Sequence, residues 1–146
     1  MAGFASVIQI LKSFQPGLRL IDGADLQQLV LVTASGKDGF TAKAGGGQSG
    51  APIMTAFINR VIVVASGSDS VMLPPAAAGR EVVVINAGTN TLAIFPNILN
   101  PYTGVADTQA PNNGSAQVGT AFALAANGTA VFDCPVVGQW KTTLSA

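Results

Sequence analysis

The feature that most constrains this chain is its punctuation. From residue 60 onward, short runs rich in β-branched residues are each cut off by proline, glycine or asparagine within a few positions. Residues 60–65 read RVIVVA and residues 81–85 read EVVVI, and between them the run 70–73 stops at Pro74-Pro75. Such runs are too short for stable helices, and β-branched side chains pack well on a pleated surface. EVVVI is apolar on both faces, which predicts a central strand. Asn86-Ala87-Gly88-Thr89-Asn90 predicts a turn, with residues 91–95 as the partner strand up to Pro96. Residues 118–124 alternate, placing Val118, Phe122 and Leu124 on one face. Asn127-Gly128 predicts a two-residue hairpin, because both positions accept positive φ. Its return strand, 129–134, sets Ala130, Phe132 and Cys134 on one face. Residues 135–138 turn the chain, and 139–144 close the domain around Trp140, its largest packing residue. Six or seven short strands at this spacing predict an all-β fold with a β-sandwich or jelly-roll-like body.

The first third of the chain reads differently. Phe4, Val7, Ile8, Leu11 and Phe14 follow helical spacing until Pro16-Gly17 breaks it. A second apolar stretch holds Leu18, Leu20, Ile21, Leu26, Leu29, Val30, Leu31 and Val32, with Asp25 placed to N-cap a short helix. Gly36, Gly39, Gly45, Gly46, Gly47 and Gly50 follow. A glycine-rich backbone loses much entropy on ordering, so it orders only where something holds it. The chain therefore divides near Ala51. Residues 1–50 are expected to form an extended N-terminal arm holding one or two short helices and a Gly-rich linker. Residues 51–146 are expected to form the β-sandwich/jelly-roll domain. A pure linker needs no buried anchor, so the apolar residues upstream favour an arm laid along a neighbour.

Charge points the same way. Hydrophobic residues make up 49% of the chain and charged residues 10%, against about 25% charged in ordinary soluble domains. Seven basic and seven acidic side chains cannot cover a domain of 146 residues, so part of the exterior is expected to be covered by a partner. The stretch 96–115 is too long for an ordinary connection and carries Ile98, Leu99, Tyr102 and Val105 among Asn, Pro and Gly. A disordered loop would be less apolar, so it reads as an ordered contact loop.

Several chemistries find no support. Lys12, Arg19, Lys37, Lys43, Arg60, Arg80 and Lys141 are scattered, whereas nucleic-acid backbones demand clustered cations. No run approaches the roughly 20 apolar residues of a membrane span, and residues 1–14 make a poor secretory signal. The expected home is the cytoplasm until assembly. The motif 45–50 satisfies G-x-G-x-x-G, but a glycine-rich stretch precedes it and Ala51-Pro52 follows, where a nucleotide site needs a strand and a helix. Ala51 also stands where a phosphate loop needs lysine. Histidine is absent, which removes the commonest general base and metal ligand. Cys134 reads as a small core residue. The carboxylates Asp22, Asp25, Asp38, Asp69, Glu81, Asp107 and Asp133 lack metal-loop spacing, although an Asp–Glu pair joined only in space would be invisible here. No catalytic, cofactor-binding or metal residue is assigned. Asn113-Gly114-Ser115 and Asn127-Gly128-Thr129 match a glycosylation pattern but are better explained as turns.

Several stretches resemble a group of small structural proteins of tailed bacteriophages. Leu18-Arg19-Leu20-Ile21-Asp22-Gly23, followed by Leu26, looks like their arm, and residues 41–48, TAKAGGGQ, like their linker. Asn59-Arg60-Val61, then Asp69-Ser70-Val71-Met72-Leu73-Pro74, then Val84-Ile85-Asn86-Ala87-Gly88 resemble their first strands. Phe122-Ala123-Leu124-Ala125-Ala126-Asn127 and Gly138-Gln139-Trp140 resemble their last hairpin and strand. The likeness covers residues 18 to about 142, and the order of the pieces is more specific than any one of them. It departs at 96–115, where Asp107-Thr108 is followed by Gln109 and the stretch is longer than the family's.

The resemblance implies a virion component, best suited to capsid decoration or cement. Such a protein would bind the major capsid protein on the outer shell and associate with itself, commonly as a homotrimer. The arm residues Leu18, Leu20, Ile21, Leu26 and Leu29 and the loop residues Ile98, Leu99, Tyr102 and Val105 would make the contacts. One alternative is a tail- or fibre-associated, glycan-binding adhesin-like module, with Tyr102 stacking on a sugar. Another is a small β-sandwich glycoside hydrolase or lyase, for which the chain is poor in acids.

Overall fold

The computed structural model describes residues 36–111 and 117–144. All regular structure among them is β. Ten strands form two sheets: β1 (Gly36–Thr41), β2 (Ile58–Val63), β3 (Ser70–Met72), β4 (Glu81–Asn86), β5 (Leu92–Phe95), β6 (Thr108–Pro111), β7 (Gln117–Val118), β8 (Phe122–Leu124), β9 (Thr129–Val136) and β10 (Gln139–Leu144). The larger sheet runs β1-β2-β4-β9-β10-β6-β7 and the smaller β3-β5-β8. One core lies between them. Val61, Val82, Val84, Phe132 and Trp140 of the large sheet meet Val71, Leu92, Ile94 and Leu124 of the small one. Phe122 of β8 sets its ring edge-on to Phe132 of β9, with centroids 5.7 Å apart. The all-β, two-sheet expectation holds. The ladders depart from a jelly roll, whose strands pair antiparallel. Here β1–β2, β2–β4, β3–β5 and β6–β10 pair parallel.

The boundary expected at Ala51 is corrected. The compact β unit starts at Ser35, and residues 36–50 are part of it. Strand β1 pairs with β2 and buries Phe40, with the Lys37 ammonium 4.4 Å from the Phe40 ring centroid. Beyond β1, the Lys43 ammonium donates to the carbonyls of Gly46 and Ser49, both at 2.7 Å. The Ser70 hydroxyl donates to Gly47 O, and Gly45 N–H donates to Asp69 Oδ1. These bonds hold the glycine-rich turn. Gly46 has φ +73°, and a Cβ there would strike the Ser68 carbonyl oxygen, so only glycine fits. The turn also differs from a phosphate cradle. It aims carbonyl oxygens at an internal ammonium, where an anion needs N–H groups.

Two expected hairpins are corners instead. Strand β4 lies in the large sheet and β5 in the small one, so the turn at 86–90 joins sheets rather than partner strands. The turn at Asn127-Gly128 does the same for β8 and β9. Asn127 does take positive φ, at 60°. Both crossings meet at buried Asn86, whose amide donates to Asn90 O, Leu124 O and Ala125 O at 2.9–3.0 Å. Its Oδ1 accepts from Gly88 N–H. The run 118–124 also splits, with Val118 in β7 and Phe122–Leu124 in β8. The turn before β10 is a true hairpin: β9 and β10 pair antiparallel, with Gln139 opposite Val136. Strand β4 is central, as EVVVI implied.

Candidate contact surface

The loop between β5 and β6 is built inside out. Its asparagines and aspartate point in, and its large apolar side chains point out. Asn97, Asn100 and Asp107 are buried. The Asn100 amide donates to Asp107 Oδ1 at 2.6 Å and to Ala76 O at 2.9 Å. Asp107 Oδ2 accepts from Ala76 N–H at 2.8 Å. The Asn97 amide donates to Leu73 O, and Asp107 N–H donates to Asn97 O, which closes the loop's base. Two Asx turns shape the rim: Asn97 Oδ1 accepts from Leu99 N–H, and Asn100 Oδ1 from Tyr102 N–H. Gly104, at φ +74°, returns its N–H to Asn100 O at 2.8 Å.

This frame leaves Ile98 50%, Leu99 59%, Tyr102 67% and Val105 63% exposed. The β9–β10 hairpin is tied to the same frame. Gly138 N–H donates to Ala76 O, and Thr108 N–H donates to Gly138 O. Exposed Val136 and Val137 therefore sit at the same end of the body. The ordering inferred for the loop is thus present as far as residue 107, after which residues 108–111 become β6. A rigid apolar rim forfeits little entropy when covered, and each half-exposed side chain could contribute about 1 kcal/mol on burial. The arm residues Leu18, Leu20, Ile21, Leu26 and Leu29 lie outside the described residues.

Sequence reasoning found the exposed side chains of this loop but missed what holds them. The two asparagines stand three apart and each can form an Asx turn, but the partners that make them a frame come from Leu73 and Ala76, far earlier in the chain. It also missed the hairpin tip, because Val136 and Val137 approach the loop only through the parallel pairing of β6 with β10.

Cys134 sits in the core, its thiol pushed up in pKa chiefly by burial. Among the described residues no group of three or more acids, cysteines or histidines could hold a metal. The spatial Asp–Glu pair that sequence could not reveal does exist: Glu81 stands opposite Asp133 across β4 and β9. It lies on the outward face of the large sheet, where Glu81 is exposed. Partial desolvation, then the Asp133 charge and a hydrogen bond to Asp133, raise the Glu81 pKa above 4.5.

Opposite shifts stabilise two other acids. Asp69 accepts from the Ser66 hydroxyl and from the N–H groups of Ser66, Ala65 and Gly45, which lowers its pKa below 3.8. Asp38 is lowered by the Gly39 N–H and then by Arg60. A lowered acid supports the fold above its unfolded value and loses that support as pH falls through the folded one. A raised acid does the reverse, so Glu81 favours the fold only below its raised value. Melting temperatures measured from pH ~3 to ~8 should therefore show two effects. Asp69→Asn should melt several degrees lower at neutral pH, with the gap closing below pH 3.8. Glu81→Gln should melt slightly higher at neutral pH and match the parent below 4.5. A gap that ignores pH would show that these acids do not act through their charge.

No protein-family model, curated protein or solved structure matches this chain.

Proposed function

We propose that this chain is a virion structural protein, a capsid decoration or cement protein that binds the outer capsid surface and stabilises contacts between major capsid protein subunits. The observation that supports it is the rigid apolar rim at Ile98, Leu99, Tyr102 and Val105, presented on a buried Asn–Asp frame. A body that spends its buried polar groups on displaying greasy side chains is suited to being covered. The virion setting rests on the likeness of the motifs between residues 18 and 142 to phage structural proteins. In this reading the protein is made in the host cytoplasm, associates with copies of itself and ends on the shell. Clamping needs no cofactor and no catalysis. Several contacts per oligomer make release cooperative, because re-binding of one contact is effectively intramolecular.

Binding to shells assembled from the cognate major capsid protein tests this. Leu99→Asp should weaken decoration at least roughly tenfold while leaving the melting curve in place, since Leu99 is 59% exposed and stands outside the hydrophobic core. Deleting residues 1–35 should leave a folded β unit, because its first strand begins at Gly36, and should abolish shell binding. A truncated protein that decorates shells with unchanged affinity would remove the arm from the mechanism. The exposure of Tyr102 favours the second reading, a glycan-binding tail or fibre module: sugar binding lost in Tyr102→Ala, with shells left bare, would establish that one instead.

A further inference from the structure

The large sheet packs only one face on the core. On its outward face Ile58, Val83 and Val131 stand in one cross-strand row, and Arg60, Ile85 and Thr129 in the next. Ile58 and Ile62 are exposed, and Val83, Ile85 and Val131 are half-buried. A sheet face that meets only water is normally polar. The charges on this face are separated along the strands. At one end Glu81 lies opposite Asp133. Lys141 is in register with Asp133, yet the single ion pair within 4.0 Å among the described residues is Arg60–Asp38. At the other end Arg60 bonds Asp38 through Nη1 alone, at 3.1 and 3.3 Å. Among the described residues the rest of its guanidinium fork has no partner, and it can take a second carboxylate.

We infer that this face joins two copies of the chain, stacked sheet on sheet across a two-fold axis that lies between them and exchanges the strand ends. Arg60 of each copy then meets Glu81 and Asp133 of the other, with the Ile58–Val83–Val131 row enclosed between these charges, Ile85 beside Arg60 and Ile62 just beyond it. The inference rests on the self-association in the proposed function and specifies its surface. It also changes the symmetry. Apolar rows and both charge signs share one face, so the patch complements itself and closes at two copies; a three-fold ring needs two different patches.

Sedimentation or native mass measurement on the full chain tests this. The parent should be a dimer. Ile58→Lys and Ile62→Lys, both at exposed positions, should each raise the dimer dissociation constant at least roughly tenfold with an unchanged circular dichroism spectrum. Arg60→Glu alone and the double variant Glu81→Lys, Asp133→Lys alone should each be monomeric, and mixing the two should restore dimers. A monomeric parent, a trimer indifferent to Ile58→Lys, or mixed variants that stay monomeric would each overturn the inference. Shell binding is read separately. A monomer that still decorates shells sinks this inference alone, whereas a dimer that ignores shells sinks the cement reading and leaves the interface standing.

Discussion

Trp140→Ala should destabilise the fold by about 3–5 kcal/mol, the range for removing a large aromatic from a packed core. Trp140 is fully buried, on β10, between β9 and β6. It is the largest side chain in the one core the two sheets share. Truncation empties the centre of the large sheet's inner face, and neighbours held by ladders on both sides cannot collapse to fill it. Trp140→Phe should cost much less, for a reason specific to this site. Among the described residues the indole Nε1–H has no hydrogen-bond partner, and neither does Oε1 of Gln109, its register partner on β6. A buried donor without an acceptor is itself destabilising by about 1–3 kcal/mol. Phenylalanine removes that donor while losing part of the volume. Denaturant titration followed by circular dichroism checks both variants, since the chain's single tryptophan is the residue being changed. A loss below about 1 kcal/mol for Trp140→Ala would mean that this core is not packed as described.

Asn100→Ala should release the contact loop while the two sheets stay folded. The substitution removes both donors that Asn100 supplies, to Ala76 O and Asp107 Oδ1, and the acceptor for Tyr102 N–H. Asp107 is then left buried with the Ala76 N–H as its remaining side-chain bond. Unmet buried polar groups cost about 1–3 kcal/mol each, enough to open a loop whose apolar residues already face water. Amide exchange across residues 98–106 should accelerate, with the strands β4 and β9 unaffected. Shell binding should weaken roughly tenfold or more, because the ordering cost moves from folding to binding. Unchanged exchange in the loop would show that the asparagine frame does not hold it. Faster exchange with full shell binding would show that the rim is not the contact.

Much of the fold was legible from local chemistry. The runs at 60–65 and 81–85 became β2 and β4, and the central place of EVVVI follows from its apolar residues on both faces. The alternation of Ala130, Phe132 and Cys134 put those three side chains in the core. Asn127 adopted positive φ. The apolar rim at 98–105 was visible as a composition out of place in a loop. Strand β1 was not legible, because a single apolar residue, Phe40, among glycines and charges makes no periodic signal. The frame at Asn97, Asn100 and Asp107 was not legible as a frame, because half of its partners come from Leu73 and Ala76, more than twenty residues earlier.

By itself the sequence determined most of the strand runs from residue 58 onward, the inward alternation of Ala130, Phe132 and Cys134, and the positive φ of Asn127. These are properties of a residue and its near neighbours: β-branching, the freedom of glycine, the missing N–H of proline. Only the tertiary structure decided which strands pair. The turns at 86–90 and at Asn127-Gly128 each suit a hairpin, and both became corners between sheets clasped by Asn86. The reason is physical: a turn sets the direction of the chain over a few residues, whereas sheet membership is set by which arrangement buries the most side chains of β4, β5, β8 and β9 at once. That choice is collective, and no single turn encodes it.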